Sequence, residues 1–574
     1  MGDAVVYAAP DIAADEQPAG SWVLRSRTPL GAYERRVGAV LERWSMEAPD
    51  VPFLCERTED GGWRRVTYGE AWSAARAIGQ ALLDRELGPE RPVMCLSGNS
   101  VDHGLLMLGC FVVGVPIVPV SVAYSLQSTD YGKIRHIART TTPGLVFAAG
   151  LGPFQKAVDT LDEPVEALGS LDSLLARTPG PKVDVAFAAT GPETIAKILF
   201  TSGSTGIPKG VINTHGMLCA NQQMARQVWP FTTAEPVVLV DWLPWSHTFG
   251  GNHNLDLVLW SGGTLHVDGG RPAPGMLQAT LDNLREVSPT VYFNVPAGFA
   301  ALVPHLETDD ELARRFFRRL SFIMYAAAAL PKELWDRLQV LVARHADHDV
   351  PLTSAWGATE TAPLATTAHF RLDGPGCIGV PVPGVELKLV PNGRKLELRV
   401  KGPNVTPGYF REPELTAAAF DDEGFYCLGD AGRFVDPERP AAGIVFDGRV
   451  AEDFKLTTGT WVSVGTLRTQ LVSAGGGAIQ DAVITGHDRH EVGALVWLSP
   501  SGDVDAVRTG VEKHNAGNPQ SSTRIGRVLV LETPPSIDAH EITDKGYINQ
   551  RAVLEARAAE VERLYVGEGA IVFP

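Results

Sequence analysis

The chain has 574 residues, of which 44% are hydrophobic and 20% charged, with a formal net charge of −17. That length exceeds what one hydrophobic core supports, so two or more domains are expected, with an ordinary globular composition. The acidic balance repels polyanions and argues against a nucleic-acid binder, so an anionic nucleotide would need a concentrated local site.

Residues 1–20 carry acids where a signal peptide needs bases, and Val6 occupies the Ser/Thr position of the myristoylation pattern, so a loose leader is expected. Thr67-Tyr68-Gly69-Glu70 has capping-box spacing. Ala71, Ala75, Ile78 and Leu82 then line one helical face, and Gly88-Pro89 ends the pattern. Residues 93–96 predict a short buried strand, 101–113 a helix and 117–120 a second strand. The uncharged stretch 104–120 is short for a membrane span and holds Pro116 and Pro119, so it is assigned to a buried helix and strand, with no span. Six scattered cysteines form no CxxC pair or Cys/His cluster, which points to a reducing, cytoplasmic setting.

Strand signals return at 195–200, 291–293 and 322–325. From Gly402 onward, turn residues punctuate short segments, so a β-rich part is placed at about 380–447. After Gly448-Arg449 a smaller pattern begins: a helix at 464–474, strands near 482–484, 494–498 and 527–531, and a terminal helix over about 550–564. The expected fold class is α/β, with a large N-terminal domain (1–447) of helix-covered sheets plus the β-rich subdomain, and a small mobile α+β C-terminal domain (448–574).

The run Thr201-Ser202-Gly203-Ser204-Thr205-Gly206-Ile207-Pro208-Lys209-Gly210 follows an apolar strand. Its glycines free backbone N–H groups to face phosphates, its hydroxyls add donors and Lys209 supplies charge. Pro208-Lys209-Gly210 replaces the Gly-Lys-Ser/Thr of a Walker A loop. The run resembles the signature loop of the adenylate-forming superfamily, which includes acyl-CoA synthetases, luciferases and peptide-synthetase adenylation domains. Further motifs follow in the family's order. Trp356-Gly357-Ala358-Thr359-Glu360 resembles the aromatic-Gly-x-Thr-Glu motif, and Tyr426-Cys427-Leu428-Gly429-Asp430 resembles Tyr-x-Thr-Gly-Asp with leucine for threonine. Gly448-Arg449 with Lys455 and Gly459 resembles the opening of the small domain.

The resemblance implies an ATP-dependent acid–thiol ligase: a carboxylate and ATP give acyl-adenylate and pyrophosphate, and a thiol then displaces AMP. By motif position the loop residues would bind the β- and γ-phosphates, Thr359 the α-phosphate and Glu360 a Mg²⁺ ion. Asp430 would hold the ribose hydroxyls, Arg449 would reach ribose or phosphate, and Trp356, beside Gly357, would lie against adenine. His247 would gate the acid site. Phe249, Asn294, Pro296 and Phe299, with Ala326, Ala327 and Ala328 of an alanine run that replaces the family's Ser-Gly-Gly-Ala, are candidate pocket lining; close packing of a helix on a sheet is the other reading of these residues.

The wording of residues 448–455, 458–463 and 541–549 resembles the feruloyl-CoA synthetase branch, which makes ferulate or a related hydroxycinnamate the expected acid. Two departures bear on the second half of the chain. Ala451 stands at the usual hinge position, so Glu452 or Asp453 would serve instead, and direct alignment places Tyr547 where the catalytic lysine belongs, with Lys545 two residues earlier. Lys545 is taken as the catalytic cation, since a tyrosine supplies no positive charge to the transition state. No carrier domain follows Pro574, which favours coenzyme A as acceptor over a carrier protein. A luciferase-like oxygenase and a nucleotide-binding protein without ligase activity stay open. The expected partners are a small-molecule carboxylic acid, ATP and CoA, acting on a monomer or homodimer.

Overall fold

The structure is a computed structural model that describes residues 7–202, 207–273, 275–499, 502–543 and 548–573. A six-stranded sheet carries the phosphate-loop strands. Its spatial order is Pro208–Thr214, Ile195–Ser202, Ile117–Pro119, Val93–Cys95, Leu145–Phe147 and Glu166–Leu168. The last five run parallel, and Pro208–Thr214 folds back antiparallel onto Ile195–Ser202. The parallel strands are joined by helical crossovers, as parallel strands require.

Local chemistry explains these crossovers. Thr67 accepts from Glu70 N at 3.2 Å and the Glu70 carboxylate accepts from Thr67 N at 2.9 Å, so the capping box starts the helix Tyr68–Asp84. Ala71, Ala75, Ile78 and Leu82 are fully buried on its inner face. The helix Val101–Val113 packs against it where glycines permit close approach: a methyl group at Gly79 would meet Val113, and one at Gly109 would meet Ile78. The apolar stretch expected at 104–120 is thus buried helix and strand, and no helix among the described residues is long and apolar enough to cross a membrane.

A second sheet of eleven strands runs from Ile12–Glu16 at one edge to Val291–Asn294 at the other and contains the strands of the β-rich region. The expectation of a loose leader over residues 1–20 is corrected here, with residues 1–6 outside the described residues. Ile12–Glu16 pairs with Trp22–Ser26, which pairs with Glu386–Asn392. Ile12, Ala13, Val23 and Leu24 are buried, which accounts for the ordering of an otherwise polar segment. A four-stranded sheet, Val238–Asp241, Thr264–Val267, Pro52–Arg57 and Trp63–Thr67, completes the large part.

Residues beyond Phe454 bury their own apolar clusters around a sheet of Ile479–Thr485, Val492–Leu498, Ile525–Val530 and Ile571–Val572. The helix Val464–Ala474 forms as its spacing predicts. The single terminal helix expected over 550–564 is instead two, Gln550–Ala556 and Ala558–Val566. They break at Arg557, whose guanidinium is held by Glu541 at 2.5 and 2.8 Å and by Pro534 O at 3.1 Å.

Candidate active site

The antiparallel register sets Lys209 opposite Thr201 at the base of the glycine-rich loop. Gly203, Ser204, Thr205 and Gly206 lie outside the described residues, as does the Ser202 side chain. Lys209 Nζ donates to Tyr409 Oη at 3.3 Å and lies 4.5 Å from the ring centroid. The same hydroxyl donates to Glu360 Oε1 at 3.1 Å and is 2.7 Å from Tyr426 Oη. Lys209 and Glu360 therefore face each other across one tyrosine. Burial lowers the Lys209 pKa, and the Glu360 charge opposes that shift. Burial and the same carboxylate raise the pKa of both tyrosines, which stay as neutral phenols.

The strand Leu352–Gly357 delivers Trp356, and the turn Thr359–Thr361 follows it. Gly357 is required there because a side chain would collide with Pro363. The turn is fixed from outside. Asn404 Nδ2 donates to Thr361 O and Leu364 O at 2.9 Å each, Asn221 Nδ2 donates to Leu364 O at 2.8 Å, and Thr406 N donates to Glu360 O at 2.8 Å. Thr359 and Glu360 are 4% and 9% exposed.

Beside this group, Trp356 Nε1 donates to Asp430 Oδ2 at 2.9 Å, and Arg449 Nε is 3.2 Å from Asp430 Oδ1. Asp430 and Arg449 are partners on adjacent strands. Burial raises the Asp430 carboxyl pKa, Arg449 and the indole oppose that shift, and the Glu360 charge adds to it. Leu428, in the threonine position of the motif, packs with Tyr409 and Tyr426. The structure thus brings Lys209, Trp356, Gly357, Thr359, Glu360, Asp430 and Arg449 together. No group of three or more ligating side chains suited to a metal occurs among the described residues. Glu360 offers a single carboxylate near the phosphate loop. Such a donor suits Mg²⁺, which takes one or two carboxylates and completes its shell with water and substrate phosphates.

His247 lies in a tight segment that enters the π-helical turn Phe249–Asn254, and its Nδ1 accepts from Phe249 N at 3.4 Å. Phe249 stands edge-on to His253 at 5.5 Å. Asn294 is buried, donating to Tyr292 Oη at 3.2 Å and accepting from Val295 N at 2.9 Å. Phe299 packs edge-on against Tyr292 inside a separate apolar cluster, whereas Pro296 is half-buried. Ala326 is half-buried and Ala327 and Ala328 are exposed. Ala327 adopts φ 72°, a left-handed conformation that costs an alanine roughly 1–2 kcal/mol.

The small part reaches this region at two places. At the hinge, Ala451 sits in the short turn Val450–Glu452. Asp453 pairs with Lys395 at 2.7 Å and accepts from Val464 N at 3.1 Å, and Lys395 Nζ also donates to Asp447 O at 2.7 Å. Burial raises the Glu452 carboxyl pKa, and Arg449 opposes that shift. Farther along, Asp538 Oδ2 accepts from Thr129 N and Oγ1 at 2.9 and 2.8 Å, and Lys133 Nζ donates to Ile537 O at 2.6 Å. Beyond this strap, Ile542 and Ile548 form an antiparallel bridge and Asn549 N donates to Glu541 O at 2.9 Å. Lys545 and Tyr547 lie outside the described residues.

Tyr409 and the strap contacts are absent from the sequence reading. Asp538 lies 409 residues from its partner Thr129, beyond any local pattern. Lys197, a lone cation in the apolar run leading to the loop, was the available signal for a buried polar lattice described below.

The AMP-binding enzyme profile matches residues 41–410, more than half the chain, and the profile for the AMP-binding enzyme C-terminal domain matches residues 455–569. The chain belongs to the AMP-binding enzyme family. It is 25% identical over 445 residues to a 3-hydroxybenzoate–CoA ligase of Aromatoleum sp. (strain CIB), covering 74% of this chain and 79% of that protein. It is 27% identical over 483 residues to a benzoate–CoA ligase of Thauera aromatica, covering 78% and 84%. In fold it matches the anthranilate CoA ligase AuaEII in complex with anthranoyl-AMP, at a TM-score of 0.71 and 19% identity over 93% of this chain and 98% of that one.

Proposed function

We propose that the protein is an AMP-forming acyl-CoA ligase that adenylates an aromatic acid and transfers the acyl group to coenzyme A. The observation that carries this reading is the convergence of Lys209, Glu360, Trp356 and Asp430 beside the base of the phosphate loop. The benzoate and 3-hydroxybenzoate ligases among its relatives support an aromatic acid. Ferulate or a related hydroxycinnamate is the acid we put first, on the wording of the hinge and C-terminal segments. We place the boundary between the large and small parts at 447/448.

In this reading Thr201 to Gly206 and Lys209 hold the β- and γ-phosphates and Thr359 the α-phosphate. Asp430, with Arg449 and Trp356, holds the adenosine. Glu360 would hold Mg²⁺, which supplies neutralising charge to the phosphates when bound. Tyr409 fixes the Glu360 carboxylate and keeps Lys209 from collapsing onto it. A carboxylate oxygen of the acid attacks the α-phosphorus and pyrophosphate leaves; the thiol sulfur then attacks the acyl carbon and AMP leaves. Catalysis of the first step is chiefly electrostatic, because charge builds on both sides of phosphorus. Lys545 supplies cationic charge there when the small part is docked. His247 and Phe249 border the acid, with Asn294, Pro296, Phe299 and the alanines 326–328 as its surroundings.

The test is acid-dependent exchange of labelled pyrophosphate into ATP across a panel of benzoates, hydroxycinnamates and fatty acids, followed by thioester analysis with CoA. Exchange with an aromatic acid and a CoA thioester are expected. Absence of exchange across the panel sinks the reading.

A further inference from the structure

Lys197 is the one charged residue of the strand Ile195–Ser202 and is fully buried. Its Nζ donates to Gly251 O at 2.6 Å and to Asn252 Oδ1 at 3.1 Å, both in the π-helical turn Phe249–Asn254. Asn252 Nδ2 donates to Asn213 Oδ1 at 2.6 Å and to Thr248 Oγ1 at 3.0 Å, while Gln222 Nε2 donates to Asn252 O at 3.0 Å. Asn213 lies on Pro208–Thr214, and its Nδ2 reaches Thr359 O at 3.5 Å. The charge facing Lys197 is Asp256, also buried, just beyond the turn.

A buried ammonium carries a desolvation cost that an apolar side chain of similar length avoids, so packing alone does not account for it. Its bonds join elements that the chain keeps apart: both strands of the phosphate hairpin, the segment bearing His247 and the Thr359 turn. A π-helical turn is an irregularity that recurs at functional sites. Here the Gly251 carbonyl accepts from the lysine and the Asn252 side chain is engaged through both its oxygen and its nitrogen.

We propose that Lys197 and Asn252 are positioning residues that tie the acid-side segment 243–254 to the phosphate hairpin, so that nucleotide bound at the hairpin stiffens the wall of the acid pocket. The inference rests on the nucleotide site of the function proposed above. Neither residue touches substrate; each acts through the backbone it holds.

The experiment is amide hydrogen exchange on the full chain with MgATP and no acid, in the parent, in Lys197→Met and in Asn252→Ala, which removes the side chain that bonds both Lys197 and Asn213. In the parent, exchange slows by about threefold or more at both 195–214 and 243–254. In the folded variants the slowing persists at 195–214 and is lost at 243–254. Pyrophosphate exchange then shows kcat lowered about tenfold with the KM for ATP within about threefold, a split that general destabilisation does not produce. If Lys197→Met does not fold, Asn252→Ala decides. Slowing at 195–214 alone in the parent, or equal slowing at 243–254 in parent and variants, overturns the tie. Absence of slowing at 195–214 in the parent overturns the nucleotide site itself.

Discussion

Asn252 in the large part and Asp538 in the small part each gather hydrogen bonds from a neighbouring element, in opposite surroundings. Asn252 is fully buried among Lys197, Asn213 and Thr248, where water does not compete. Asp538 is half-exposed and takes two bonds from the exposed Thr129. A buried, satisfied network is rigid and fails as a unit, whereas exposed bonds of this kind contribute little each and exchange readily with water. The difference separates a rigid buried lattice under the proposed nucleotide site from a strap held to the large part by replaceable contacts.

The largest effect comes from breaking the buried side. Glu360→Gln keeps the shape beside Tyr409 but removes the charge facing Lys209, and pyrophosphate exchange is expected to fall by roughly 10²–10³-fold, about 3–4 kcal/mol. Unchanged exchange in the folded variant would remove Glu360 from the chemistry.

Next in size is the response of the buried large part to acid. Burial pushes the His253 pKa down from 6.5 to about 4, with the bond to Asn254 only partly opposing it. In the unfolded chain the imidazole takes up its proton below about 6.5, so between 6.5 and 4 the unfolded state binds more protons. Stability is therefore full above 6.5 and declines as the pH falls toward 4, by up to about 3 kcal/mol from this residue. His103 and His266, also pushed down to about 4, act with the same sign. Asp241, raised to about 7 by burial, acts oppositely: its contribution declines as the pH rises from 3.8 to 7. Denaturant unfolding of parent and His253→Phe at pH 7 and pH 5 should show a smaller acid-induced loss in the variant, and identical losses would contradict the burial argument.

Breaking the strap sharpens the comparison from the other side. Asp538→Ala removes both bonds to Thr129 and is expected to slow adenylate formation about tenfold while leaving thioester formation from supplied acyl-adenylate within about twofold. Equal slowing of both steps would make the strap a general support. The smallest effect is expected from Tyr409→Phe, where loss of the hydroxyl between Lys209 and Glu360 lowers exchange by about three- to tenfold and raises the Mg²⁺ concentration needed for half-maximal rate. An unchanged Mg²⁺ requirement would remove Tyr409 from holding the carboxylate.

What was legible in the sequence was local. The capping box at Thr67, the mostly apolar helix Val101–Val113 and the helix Val464–Ala474 follow from spacings of a few residues. Trp356, Glu360 and Asp430 were legible because each sits inside a short motif. The edge strand Ile12–Glu16 escaped because its ordering comes from Glu386–Asn392 through an intermediate strand, hundreds of residues away. The break at Arg557 escaped because it depends on Glu541, and helical periodicity continues across it. Tyr409 and the Lys197 lattice escaped for the same reason: hydrogen-bond partners brought together by topology leave no periodic trace.

The helix Gly132–Thr141 bears on both regions at once. Lys133, on one turn, reaches Ile537 O, and His136, three residues on, donates to Pro208 O at 2.9 Å at the foot of the phosphate hairpin. Residues so spaced share a helical face and lie about 4.5 Å apart along the axis. A single short rod therefore holds the small part at one rung and buttresses the phosphate hairpin at the next. The two contacts share one mechanical support although Pro208 and Ile537 lie far apart in the chain.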